Sequence, residues 1–134
     1  MKVYVASKFE NQAAVKQTME LLRRAGHTIT HDWTREDASG IYDPNERDAY
    51  LAKCAAADVD GVLDADAMIL LHRPEMRGAY IELGVAITHG VRVYVVDGLN
   101  DEWTRIPIFY RLPEVRHMAS AEDAVALLTA EDVE

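Results

Sequence analysis

Between Asp66 and Val96 the chain carries a short apolar run (Ala67 to Leu71), a polar loop, a helical pattern (Gly78 to His89), then a second short run (Val91 to Val96) that is apolar apart from Arg92. Runs of five or six apolar residues closed by polar or glycine positions read as buried strands; the stretch between has the spacing of a helix. Two such strands joined through a helix pair in parallel, with a right-handed crossover and helices over the sheet. That unit leaves few folds open, and the remaining sequence repeats it.

Val3 to Ala6 reads as a first strand. Asn11 is placed to cap a helix through about Ala25, with Val15, Met19 and Leu22 on one face and Gly26 as its stop. His27 to His31 reads as a second strand, Asp32 to Asp43 as a loop, and Pro44 opens a second helix to about Ala57. Asp66 to His72 is the third strand and Val91 to Val96 the fourth. Val115 to Met118 is a short fifth strand, and Ser120 with Asp123 caps a last helix ending near Thr129. The expectation is one domain over residues 1–134: an α/β, flavodoxin-like or Rossmann-like three-layer sandwich on a five-stranded parallel sheet of order 2-1-3-4-5. Ligands of such sheets bind beyond the carboxyl ends of the strands where the order reverses. Here that means the loop Ser7-Lys8-Phe9-Glu10 and the loop from His72 to Gly78. The second leads to Glu82, a carboxylate flanked by Ile81, Leu83, Val85 and Ile87. An acid in a first helical turn can simply complement the helix dipole, so Glu82 has a structural reading beside a chemical one.

Charge narrows the partners. A formal net charge of −9 with no basic stripe argues against a nucleic-acid polymer, although a small anion can still be held by a few local cations and helix N-termini. Arg73 and Arg77 bracket the third loop and are candidates for that, or plain surface residues. No apolar run is long enough to span a bilayer, and Met1 to Val5 reads as a strand, not a signal peptide. The single cysteine, Cys54, lies in an Ala-rich helical pattern and reads as a small core residue; it permits a reducing cytoplasm. Neither G-x-G-x-x-G nor G-x-x-x-x-G-K-[ST] occurs, so dinucleotide and P-loop cofactors are not expected. The five histidines lack the spacing of a zinc site. His31-Asp32 is an acid/base or metal pair at most, and a histidine closing a strand has a simpler structural reading.

These residues resemble the nucleoside 2-deoxyribosyltransferase family and its nucleotide N-hydrolase relatives. The resemblance rests on Val3-Tyr4-Val5-Ala6-Ser7-Lys8-Phe9 and on Ala65-Asp66-Ala67-Met68-Ile69 followed by Gly78-Ala79-Tyr80-Ile81-Glu82-Leu83-Gly84-Val85-Ala86. The phrases Gly26 to Thr34 and Phe109 to Val115 are similar to small members of the superfamily. The resemblance implies a glutamate nucleophile at Glu82, a phenol that orients it at Tyr4, and an acidic partner for the departing base at Asp66. Ser7, Lys8, Phe9, Trp33, Met76, Arg77 and Gly78 would bind substrate, with Phe9 and Trp33 as stacking walls. Such an enzyme cleaves or transfers the N-glycosidic bond of a (2′-deoxy)nucleoside or nucleoside 5′-monophosphate and needs no cofactor. Nucleoside transferases of the family usually carry an acid six positions before the nucleophile, to meet the 5′-hydroxyl. Met76 stands there, between Glu75 and Arg77, which fits a 5′-phosphate better and weakens the transferase reading. A TIR-like NAD glycohydrolase and a non-catalytic nucleotide-sensing module are the alternatives. Trp103, Ile106, Ile108, Phe109 and Tyr110 crowd an irregular stretch, so self-association is expected, with a homodimer as the minimum.

Overall fold

The computed structural model describes residues 1–98 and 106–133. Its strands are β1 (Lys2–Ser7), β2 (Thr28–Ile29), β3 (Ala67–Leu71), β4 (Arg92–Val96) and β5 (Val115–Met118). The helices are α1 (Gln12–Arg24), α2 (Pro44–Leu63), α3 (Gly78–Thr88) and α4 (Ala121–Asp132). All five strands are parallel, in the order β2-β1-β3-β4-β5. The expected sheet is therefore the observed one. Helices α1 and α4 pack together, as do α2 and α3, giving the two outer layers.

The central strands are central because they have nothing to show to water. Val3 through Ala6 are fully buried on β1, as are Ala67 through Leu70 on β3. The register pairs Tyr4 with Met68 and Ser7 with Leu71, so both strands deliver their next residues to the same edge. The loops after β1 and β3 leave the sheet side by side. None of the helices in the described residues is long and apolar enough to cross a membrane.

Three elements differ from the sequence expectation. Helix α2 does not stop near Ala57 but runs to Leu63, straight through Gly61. That glycine is no breaker: a Cβ there would lie 2.8 Å from the His31 Cβ and 3.0 Å from two Tyr4 ring carbons. Its bare backbone lets α2 sit down on β1, where the Gly61 carbonyl accepts the Thr30 hydroxyl at 2.7 Å. β2 is shorter than drawn, and Asn11 does not cap α1 with its side chain; its amide donates to Ser7 Oγ at 3.0 Å instead. Cys54 is half-buried on α2 rather than in the core.

Candidate active site

A cleft of about 530 Å³ opens beyond the carboxyl ends of β1 and β3, the place the strand order predicts. It is lined from the β1 loop by Ser7, Lys8, Phe9 and Glu10, from the β3 loop and α3 by Glu75, Arg77, Gly78, Ala79 and Glu82. Trp33, Glu36 and Asp58 complete it.

Glu82 is the fifth residue of α3, beyond the first turn, so helix-dipole complementarity does not explain it. The Tyr4 hydroxyl, rising from the buried middle of β1, donates a short hydrogen bond to Glu82 Oε2. Burial raises the Glu82 carboxyl to about 7; the Tyr4 bond opposes that rise, the Glu36 charge adds to it, and His31 offsets a little. Tyr4 itself is pushed far above the ordinary phenol range by burial and by the Glu82 charge, so it stays a donor. A phenol that cannot ionise, aimed at a carboxylate that titrates near neutrality, fixes that carboxylate's orientation without neutralising it.

Behind this pair lies a second acid. Asp58, on α2 one turn before Gly61, is raised to about 8, chiefly by burial, then by hydrogen bonding and charge from Glu36 and by the charge of Glu82. Glu36 Oε2 lies 2.9 Å from His31 Nε2, and Asp58 Oδ1 lies 3.2 Å from the same nitrogen. The nitrogen and the two carboxylate oxygens fall within 4.8 Å of one another, a spacing that could also admit a cation.

The remaining sequence candidates divide. Ser7 is buried and committed, donating to the Leu71 carbonyl at 2.7 Å while accepting from Asn11. Lys8 reaches across to the Pro74 carbonyl at 3.2 Å, tying the two loops together. Trp33 is buried, its Nε1 donating to the Val5 carbonyl at 2.7 Å, and exposed Phe9 tilts against it at 6.2 Å between ring centroids. They form one aromatic wall. Arg77 precedes α3 at the mouth, exposed, with Gly78 beside it.

Two candidates are not brought to the cleft. Met76 is 4% exposed and points into the core, the apolar side chain having more to gain there than in a polar cleft. Asp66 precedes β3 at the amino end of the sheet, the end away from the cleft, where Oδ2 accepts the Lys2 backbone N–H at 2.8 Å. It closes the start of the sheet and meets neither Glu82 nor Tyr4. Asp58, by contrast, lines the cleft with Glu82.

Sequence reasoning missed Asp58 and Glu36; Glu10 and Glu75 lie in the two loops that strand order pointed to, without a role given to either. For Asp58 a signal existed: it lies three residues before Gly61, on the face a helical glycine presents to a close neighbour. The Glu75 backbone is left-handed (φ 61°), a conformation that turns the loop into α3. Ile106 and Tyr110 are buried, whereas Ile108 and Phe109 are 74% and 59% exposed; Trp103 lies outside the described residues.

No family model and no curated protein sequence matches the chain. Among solved structures it is similar to the CMP N-glycosidase BcmB of Clostridium botulinum, at a TM-score of 0.62 and 14% identity, over 98% of this chain and 99% of that one. The two share a fold. That enzyme is a nucleotide N-glycosidase, the kind of relative the residues around Glu82 resemble.

Proposed function

We propose that this protein cleaves the N-glycosidic bond of a nucleoside 5′-monophosphate, with Glu82 as nucleophile. The observation that carries the reading is the Tyr4 hydroxyl held on Glu82 at the floor of a switch-point cleft that also holds Asp58. It is supported by the likeness of fold to BcmB, a CMP N-glycosidase.

The geometry suits the chemistry in order. As the C1′–N bond stretches, positive charge grows at C1′ and an ionised Glu82 oxygen stabilises and then captures it as a glycosyl ester. The bond's electron pair leaves with the base, which takes a proton from a neutral carboxyl, and Asp58 is the group in the cleft whose surroundings favour that form. Water then attacks C1′, releasing the sugar phosphate and restoring Glu82. The Phe9 and Trp33 wall offers a face for a planar base, while Arg77 and the α3 N-terminus offer one for an anion. Transfer to a second base needs only that the base replace water in the last step.

Incubation with a panel of nucleosides, their 5′-monophosphates and NAD, read by chromatography for free base, tests the proposal. Base release from a monophosphate is expected. Release from NAD alone would favour the TIR-like alternative, and tight nucleotide binding with no release would favour a sensing module.

A further inference from the structure

The glycosidase reading explains Tyr4, Glu82 and Asp58 but leaves His31 and Glu36 idle. Their geometry is specific. Side-chain exposures are 27% for His31, 19% for Glu36 and 27% for Asp58; the two acids line the cleft and His31 stands behind them. The His31 Nε2 hydrogen can point along only one of its two contacts, and the shorter one leads to Glu36. Asp58 Oδ1 is then sealed from solvent and receives no hydrogen bond. Among the described residues, His31 is the basic side chain paired with these acids; Arg35, nearest in sequence, pairs with Asp32 at 3.5 Å. A buried carboxylate oxygen without a donor is costly, and a proton on the Asp58–Glu36 pair relieves it.

We propose that Glu36, held by His31, is a positioning residue for Asp58, and that the two carboxyl groups share one proton which Asp58 lends to the departing base and then recovers. This rests on the glycosidase reading above. In the first step the Asp58 O–H bond breaks, its proton goes to the base nitrogen, and the C1′–N electron pair becomes the new N–H bond. Asp58 is left ionised beside the Glu36 carboxylate, with Glu82 now an uncharged ester. Two like charges at that distance make Asp58 a better base than an isolated carboxylate. It takes a proton from the water that attacks C1′, and the shared-proton state returns with Glu82 released. The groups facing Asp58 from other elements are Tyr4 on β1, His31 and Glu36 after β2, and Glu82 on α3.

The experiment is a pH profile of kcat/KM for base release by wild type, Glu36→Gln and Glu36→Asp, run with a chelator present. Wild type should be bell-shaped, with limbs near 7 for Glu82 ionisation and near 8 for Asp58 deprotonation. Glu36 raises both groups, so Glu36→Gln should slide the whole bell toward acid by about one pH unit, costing roughly fivefold at pH 8. Glu36→Asp keeps the charge and should keep the limbs. A Glu36→Gln bell that is lower but unmoved means a merely structural role and overturns the proposal. Carboxyl titration of ¹³C-labelled protein by NMR, without substrate, provides a second measurement. An Asp58 titration unchanged in Glu36→Gln overturns the proposal even if no base is ever released, whereas a lowered one with no base release overturns only the glycosidase reading.

Discussion

Glu82 should cost the fold stability at the pH where it works, and the cost follows from its surroundings. Moving a carboxyl from 4.5 to about 7 corresponds to roughly 3 kcal/mol of preference for the neutral form. Between those values the folded protein binds more proton than the unfolded chain, so this group's contribution is fully present below pH 4.5 and is lost as pH rises through 7. Glu82→Gln keeps the shape and the Tyr4 bond to an oxygen but has no charge to bury. Its amide leaves one donor to the cleft, at a cost of about 1 kcal/mol that does not change with pH. Urea unfolding at pH 5 and pH 8 isolates the pH-dependent part, because the fixed cost cancels. Relative to wild type the variant should gain on the order of 2–3 kcal/mol between the two pH values and end more stable at pH 8, with base release abolished. For a domain of this size that is a Tm difference of roughly 10 °C. A gain between pH 5 and 8 below about 1 kcal/mol would refute the claim that burial holds Glu82 out of its ordinary range. A stability gain on silencing Glu82 is the trade expected if it is the proposed nucleophile.

Arg77→Ala should lower kcat/KM for a monophosphate and spare the nucleoside; because Arg77 is exposed, the loss sits near the lower end for a charge-assisted contact, about tenfold, and equal responses of the two substrates would remove Arg77 from the phosphate. Gly61→Ala must push α2 off Tyr4 and His31, so urea unfolding should show a loss of about 1–3 kcal/mol, and base release should fall further than the lost folded fraction explains; wild-type stability and turnover would mean the close approach is unimportant. Exposed Ile81, Ile108 and Phe109 support the homodimer expectation, and a monomer mass in light scattering would overturn it.

The sheet was readable because parallel strands buried on both faces are apolar throughout, as β3 is and as β1 is from Val3 to Ala6. From strand order the cleft followed, and with it Ser7, Lys8, Phe9, Arg77, Gly78 and Glu82 as lining; Trp33 came from the family resemblance. What strand order does not carry is the direction of one side chain in a loop. Met76 and Arg77 are neighbours in a polar segment, and only the packed structure shows Met76 turned inward and Arg77 outward. Nor does it carry contacts between elements far apart in sequence. Glu36 and Asp58 meet only because α2 continues to Leu63 and rests on β1, and that continuation hangs on reading Gly61 as a contact rather than a stop.

Asp66 was a different kind of error, and one the sequence itself could have caught. It opens β3, whereas Glu82 follows the loop beyond the end of β3. Five residues of strand at about 3.3 Å each put roughly 16 Å between the two ends of β3. A proton donor must come within hydrogen-bond reach of the base it serves. If the substrate lies beyond the carboxyl ends, an acid at the amino end is out of range for any side chain, whatever motif it belongs to. The donor must instead come from a loop after a strand or from a helix crossing that edge, and α2 is the helix whose carboxylate does so at Asp58. The motif around Asp66 marks the start of a buried strand, with its carboxylate on the Lys2 backbone N–H. Strand polarity, applied to each candidate in turn, separates that structural role from a chemical one.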